Sequence, residues 1–363
     1  MRGRGPLLSI LLAFCLSANA ADRLPSGLSP MVQAEDTVSV VMIGDVMMHA
    51  SQLEHDMSTF LGGIRTYLED ADIAIANMEF SLGGKPYTGY PLFSAPDEYA
   101  TYVAGCGVDV FLTANNHILD RYAKGLERTH DIYRSMKDSV LFTGSSSCEE
   151  EMKATYPLIM KRKGISIALV NFTYGTNNSQ AGEWPAVNRM DTTSVKDAMT
   201  RAKEAGTDFI IALPHWGIEY ELNHSASQER WAEWLVNEGA DAVVGAHPHV
   251  IQDTSHINGV PVIYSMGNAV SNMSAINTRL ELAVRIRFIR DRITGRCTML
   301  EPELKLMWCT LPGRLTDSYC TIFVDEWKGQ RDRWKIPSDY DNMMATCVRV
   351  LQGTGIEIRS MAE

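Results

Sequence analysis

The chain has 363 residues, 45% of them hydrophobic, which suffices for one large core or a core with an appendage. It carries 33 Lys and Arg against 44 Asp and Glu, a formal net charge of −11. Nothing gathers the basic residues into a stripe, which excludes a nucleic-acid-binding role.

The first 20 residues read as a secretory signal peptide. Arg2 and Arg4 precede an apolar run at residues 7–16, and Ala18-Asn19-Ala20 offers small residues for cleavage after Ala20. The run is shorter than the roughly 20 residues that cross a bilayer, so membrane contact is expected only if this segment stays uncleaved. The expected location is outside the cytoplasm, in the periplasm or on the extracellular face of the envelope.

Residues 21–36, with Pro25, Gly27 and Pro30, read as a linker. An alternation of apolar strands and helices starts at Thr37: a strand at 38–43, a helix over 53–70, a strand at 72–76, and a Gly/Pro/Tyr-rich loop at 83–91. A helix at 97–105, a strand at 108–112 and a helix at 122–137 follow. The segments "ADIAIAN", "GVDVFLT", "GTDFIIAL" and "GADAVVG" repeat one junction, in which a small residue closes a helix and an aspartate opens a strand. Those aspartates are expected to keep the strand entrances solvated.

Two apolar runs around Lys161-Arg162-Lys163-Gly164 predict a hairpin over 156–172, and strands are expected at 261–268 and 281–289. The expected class is α/β, with two packed mixed sheets flanked by helices. A main domain over 37–290 and a C-terminal, cysteine-containing extension over 291–363 complete the division. Apart from Cys15, the cysteines are Cys106, Cys148, Cys297, Cys309, Cys320 and Cys347. Their number permits disulfides in an exported chain, and the last four predict a stapled C-terminal part.

In open α/β sheets, sites are built at the carboxyl ends of strands. Here "IGDVMMH" ends in Asp45 and His49, "IANME" in Asn77 and Glu79, and "TANNHILD" in Asn115, Asn116, His117 and Asp120. "IIALPHWGIEY" delivers His215 and Glu219, and "AVVGAHPHV" delivers His247 and His249. Carboxylates, amides and imidazoles without a thiolate suit Mn, Fe or Zn, so one or two divalent ions are expected. Asp45 and Glu79 also read as caps or loop residues, and His215 as a core histidine beside Trp216. His247 and His249, flanking Pro248, are the pair that packing explains least. His130 falls mid-helix and reads as surface.

The motifs "GDVMM", "NME", "TANNHILD", "HWGIEY", "GADAVVGAHPHV" and "YSMGN" occur in that order. Over residues 38–288 the chain resembles the CapA family of bacterial capsule or poly-γ-glutamate synthesis proteins, relatives of the calcineurin-like metallophosphatases. The resemblance implies a four-layer αββα sandwich in which Asp45 binds a first metal and Glu79 bridges. Asn116, His215 and His247 would hold a second metal, with His249 returning to the first. His117 would be the general acid, since an imidazole titrates near the working pH, and Asp120 its catalytic partner. Glu219 and Asn268 are expected to position substrate. Two departures stand out: Met47 sits where the metallophosphatase pattern has a histidine, and Glu79 replaces an aspartate. The first metal is then short of a ligand unless His49 reaches it.

Two functions follow as expectations. One is an exported metal-dependent hydrolase that uses metal-activated water on an anionic polymer or a phosphoester substrate, in capsule, poly-γ-glutamate or other envelope polymer metabolism. The other is a non-catalytic accessory subunit that meets other envelope polymer-synthesis proteins, which Met47 favours.

Overall fold

Glu35–Val46 is the first strand, and its alternation sends Val38, Val40 and Met42 to one face and Val41 and Ile43 to the other. The structure is a computed structural model that describes residues 35–179, 182–358 and 361. The expected signal peptide and all but the last two residues of the expected linker lie outside the described residues.

This strand runs through the middle of a nine-stranded mixed sheet. On one side lie Leu280–Asp291, Glu303–Thr310 and Cys320–Phe323, all antiparallel in sequence. On the other lie the parallel strands Ile73–Met78, Val110–Leu112 and Leu141–Thr143. A six-stranded sheet contains Thr254–Ile257, Val260–Ile263, Ala242–Val244, Phe209–His215, Ile165–Thr173 and Leu158–Arg162, in that order. One buried cluster joins their inner faces, with Val38, Ile75 and Val110 meeting Ile167, Ile211 and Val244. The outer face of the first sheet packs on Tyr99 and Val103 of helix Asp97–Gly105 and Tyr133 of helix Tyr122–Ser135. The outer face of the second packs on Val195 and Met199 of helix Thr192–Glu204 and Leu235 of helix Ala226–Asn237. The architecture is therefore the expected four-layer αββα sandwich.

The four repeated aspartates do more than solvate strand entrances. Asp72, Asp109, Asp208 and Asp241 each accept the backbone N–H of the neighbouring parallel strand, from Ser39, Ala74, Ser166 and Ile210 at 2.9, 2.7, 2.7 and 2.8 Å. Each returns its own backbone N–H to the carbonyl of that same residue. A parallel pair lacks a tight turn to set its register, and this reciprocal clamp supplies one. The preceding glycines Gly107, Gly206 and Gly239 have φ of 97°, 68° and 94°, the left-handed stop that frees the chain to enter the strand.

Several expectations are corrected. The helix over 53–70 shrinks to Arg65–Glu69 after two 3-10 turns, Ala50–Glu54 and Met57–Thr59. Gly62 and Gly63 interrupt it, and a side chain at Gly63 would press within 2.5 Å of the Thr321 carbonyl oxygen. The strand at 261–268 is two strands: Val260–Ile263 belongs to the six-stranded sheet and Asn268–Val270 to the nine-stranded one, beside Asp45. His130 is buried between the hydroxyls of Ser145 and Ser147, at 2.7 and 2.8 Å, not at the surface.

No staple forms at the C-terminal end, because Cys106, Cys148, Cys297, Cys309, Cys320 and Cys347 are all free. Cys309 pairs in register with Thr321, and Thr310 with Cys320, which puts the two cysteines on opposite faces of the sheet. Residues beyond 290 extend the main sheet and then form helix Pro337–Thr354, whose Met343, Cys347 and Val350 join the inner core. No helix among the described residues is long and apolar enough to cross a membrane.

Candidate metal centre

Asp45 lies near the end of Glu35–Val46, Glu79 directly after Ile73–Met78, and Asn115, Asn116 and His117 after Val110–Leu112. His215 closes Phe209–His215, and His247 and His249 follow Ala242–Val244. The first sheet thus contributes the oxygen donors and the second contributes three imidazoles. None of Asp45, Glu79, Asn116, His117, His215, His247 and His249 is more than 4% exposed.

Their donor atoms converge. One atom each from Asp45, Glu79 and His249 lie within 4.8 Å of one another, and so do atoms from Glu79, His215 and His247. The two triads share Glu79, the carboxylate that the sequence resemblance puts in a bridging position. Both Glu79 oxygens are buried without a hydrogen-bond partner among the described residues, and His247 Nδ1 is in the same condition. A buried carboxylate without a donor is costly, and a cation between the triads would offset that cost. The residues present therefore fit a divalent ion. Asn116 Oδ1 faces His215 Nε2 at 2.7 Å, so both of these ligand candidates border the second triad.

Electrostatics separates the two carboxylates. Burial raises Glu79 well above the usual carboxylate range, and the charge of Asp45 raises it further. Burial acts on Asp45 in the same direction, but His249, His215 and the Asn77 amide override it and hold Asp45 below that range. Burial pushes His215 down to about 3 and His247 well below the usual imidazole value. His249 is also penalised by burial, yet Asp45 and Asn268 raise it. Two imidazoles held neutral are what metal ligation requires.

The chain bends sharply to present them. His247 has φ of 104° and His249 φ of 59°, with Pro248 between. Left-handed backbone at two non-glycine residues is strain of the kind kept at functional sites. The bend lets the His247 N–H donate to Asp45 Oδ2 at 3.3 Å, tying the second sheet to the first.

Beside this cluster His117 Nδ1 lies 2.7 Å from Asp120 Oδ2, an oxygen that also accepts the Phe93 N–H at 2.8 Å. With Nδ1 so engaged, Nε2 is the atom left to exchange a proton with a ligand. Asn177 caps the ring, its amide nitrogen 3.4 Å from Nε2.

Other candidates fall elsewhere. Asn268 is fully buried behind His249: its oxygen is 2.9 Å from His249 Nδ1, and its amide donates to the Thr278 and His249 carbonyls. It positions a histidine and does not face the cavity, contrary to the substrate-positioning expectation. Glu219 is exposed, yet it reaches a third triad with His247 and His249. His49 does not fill the gap left by Met47. Its Nδ1 lies 3.0 Å from Gln52 Oε1 and 3.2 Å from the Asn272 amide nitrogen, and it takes part in none of the triads.

The sequence reading left Asn77 and Asn115 outside the ligand set, and they turn out to wire it together. Asn77 donates to Asp45 Oδ1 at 2.7 Å, Asn115 donates to Asn77 Oδ1 at 3.2 Å, and the His117 N–H donates to Asn115 Oδ1 at 3.2 Å. Their position at strand ends was the available signal. Asn177 and Asn178 had the same signal, since they follow the strand Ile165–Thr173.

A cavity of about 600 Å³ opens over the cluster. His117, His249, Met47, Glu219, Tyr90, Tyr220 and residues 272–275 are among its lining. Tyr90 and Tyr220 are exposed at 76% and 41%, and their rings stand beside those of His117 and His249.

A two-sheet αββα sandwich whose strand ends gather a shared carboxylate and three histidines defines an α/β protein with a candidate metal centre. Comparison with known proteins then gives the family: the chain belongs to the bacterial capsule synthesis protein family PGA_cap, whose profile matches residues 39–273. It is 26% identical over 306 residues to the capsule biosynthesis protein CapA of Bacillus anthracis, covering 80% of this chain and 72% of that one. It is 24% identical over 312 residues to the PGA biosynthesis protein CapA of Bacillus subtilis (strain 168), covering 80% and 77%. Among solved structures it is similar to a phosphatase of Mycoplasma pneumoniae, with 13% identity, a TM-score of 0.44, and 75% of this chain and 93% of that one covered. It is likewise similar to the NAD nucleotidase NadN of Haemophilus influenzae, with 13% identity, a TM-score of 0.46, and 82% and 62% covered.

Proposed function

We propose that this protein is an exported, metal-dependent hydrolase of phosphoester or related bonds in capsule or envelope polymer metabolism. The observation that carries the reading is the buried Glu79 carboxylate, without a hydrogen-bond donor among the described residues, shared by two ligand triads beside the His117–Asp120 pair. Asp45, Glu79 and His249 would hold one ion, and Glu79, Asn116, His215 and His247 a second. Such an ion, Mn, Fe or Zn, lowers the pKa of water and polarises a phosphoryl oxygen. The remaining steps belong to the chain. Asp120 fixes the His117 ring so that Nε2 faces the cavity and gives a proton to the departing oxygen. Asn77 and Asn115 hold Asp45 and the His117 backbone in mutual register. The tyrosine rim and Glu219 meet the part of the substrate that does not react.

The family's role in capsule synthesis supports polymer metabolism as the setting, with an anionic polymer such as poly-γ-glutamate or a phosphoester as substrate. A second reading, a non-catalytic subunit working with other envelope polymer-synthesis proteins, is favoured by Met47. That side chain is buried to 2% exposure where a further imidazole would complete the first triad.

Metal content decides between them. Purified protein is incubated with Mn, Fe or Zn, desalted and measured by plasma mass spectrometry, alongside a His247→Ala/His249→Ala variant. Retention of about one equivalent or more, lost in the variant, together with hydrolysis of p-nitrophenyl phosphate, supports the enzyme. Wild type that keeps metal but hydrolyses no phosphoester supports the subunit, and wild type that keeps no metal removes the hydrolase reading.

A further inference from the structure

A second cavity, of about 460 Å³, lies against the first and shares its wall of residues 272–275. Its lining includes Arg279, Arg349, Trp308, Asn277, Thr346 and Asn342. The two arginines differ in a way that matters. Arg279 is neutralised by a two-point bridge to Asp339, at 2.9 and 2.8 Å, and its guanidinium lies 4.3 Å from the Trp308 ring centre. Arg349 has no carboxylate partner among the described residues. Its Nε donates to Asn277 Oδ1 at 2.8 Å and Nη2 to Thr346 Oγ1 at 2.9 Å, both neutral oxygens.

Those two bonds fix the plane of the Arg349 fork and leave further N–H donors and the whole positive charge unused. The Trp308 indole N–H is also buried without an acceptor among the described residues. In a protein of net charge −11, an oriented and uncompensated guanidinium in a cavity is an anion receptor. Its single charge matches a carboxylate monoanion; a phosphate dianion would call for a second free cation, which Arg279 does not provide because Asp339 already holds it.

We propose that this second cavity binds a carboxylate of an extended anionic chain whose reacting part lies at the metal centre. Residues 272–275 then form the saddle over which the chain passes from one cavity to the other. The inference rests on the reading above, that the metal centre acts on an anionic polymer, and it names the residues that would hold that polymer beyond the reacting bond.

The probe is fluorescein-labelled hexaglutamate, followed by anisotropy, with polyphosphate as the competing anion. Arg349→Gln should weaken hexaglutamate binding by about tenfold, the loss of one charged hydrogen-bonded contact, and Arg349→Lys should restore part of it. Asn342 is exposed on helix Pro337–Thr354, so Asn342→Asp places a negative charge at the rim without disturbing the core. It should weaken binding as well, at unchanged melting temperature. The proposal is overturned by wild type that ignores hexaglutamate, by Arg349→Gln and Asn342→Asp variants that bind it as wild type does, or by an Arg349-dependent affinity confined to polyphosphate. Metal content and phosphoester hydrolysis of the wild type test the preceding reading separately and leave the Arg349 comparison readable.

Discussion

His117 Nδ1 and Asp120 Oδ2 stand 2.7 Å apart, three residues distant in sequence and both buried beside the candidate metal-ligand cluster. The carboxylate also holds the Phe93 N–H, so its orientation is fixed from two sides. Asp120→Asn keeps the shape but turns a charged acceptor into a neutral one. It should lower kcat on a phosphoester by about a hundredfold, within the usual range for general acid catalysis, with metal content unchanged. His117→Ala should cost at least as much. Equal kcat in wild type and either variant would remove His117 from the chemistry.

Glu79→Gln should move two observables in opposite directions. In metal-free protein Glu79 stays buried beside Asp45 without a hydrogen-bond donor among the described residues, whereas an amide carries no charge and can donate to Asp45. The metal-free variant should therefore melt about 1–2 °C higher than metal-free wild type, about 1 kcal/mol of relief. Added Mn or Zn should raise the melting temperature of wild type and do much less for the variant, because mass action rewards only a protein that binds. Thermal scans with and without metal read both effects.

Asn268→Ala removes the partner that orients His249 and two backbone bonds that close the strand junction. A loss of about 2 kcal/mol in denaturant unfolding is expected. Metal affinity should fall by about tenfold to a hundredfold, as for other groups that hold a ligand histidine in place. Unchanged affinity with lowered stability would make Asn268 a structural residue alone.

His130 gives a pH signature away from the candidate metal cluster. Burial lowers it from 6.5 to about 4 in the folded protein. Because the folded value lies below the unfolded one, its stabilising contribution is complete above pH 6.5 and is lost as pH falls towards 4. At about 1.4 kcal/mol per unit of pKa difference, the loss is of the order of 3 kcal/mol. His130→Gln keeps hydrogen-bonding capacity towards the serines and removes the titration. Urea unfolding at pH 7.5 and 4.5 should show a steeper acid loss for wild type than for the variant.

The clamp aspartates invite a direct test of stability. Asp208→Ala leaves the Ser166 N–H and hydroxyl without their acceptor at the edge of a parallel pair, and a loss of about 1–2 kcal/mol is expected. Denaturant unfolding of this variant against an exposed control such as Glu204→Ala measures it.

Much of the fold was legible in the sequence because β-branched runs and helical periods are local signals. The helix at 97–105 coincides with Asp97–Gly105, and the hairpin around Lys163-Gly164 forms as read. The centre was legible for a different reason, since five strand ends carried chemistry-bearing residues at once. What failed depended on distant partners. Nothing near residues 53–70 announces that Gly63 must pass against Thr321, and nothing in "YSMGN" says that the chain changes sheets between Ile263 and Asn268. The aspartate clamps were visible as a repeat, but their function lies in the neighbouring strand. Asn268 followed the same logic, because only packing decides whether a buried amide faces a ligand or a ligand's support.

The bond from the His247 N–H to Asp45 spans 202 residues of sequence. Contacts at that separation form late, since loop-closure entropy must be overcome before they contribute. The two triads that share Glu79 draw on both sheets, so neither the first half of the chain nor the second holds them alone. An ion captured there would act as a latch on finished folding: its residence would report that the two sheets had docked, and its loss would be an early step of unfolding. Such an ion would enter only after the two sheets had docked, so the candidate centre would sample the ions around the finished fold and not those around the nascent chain.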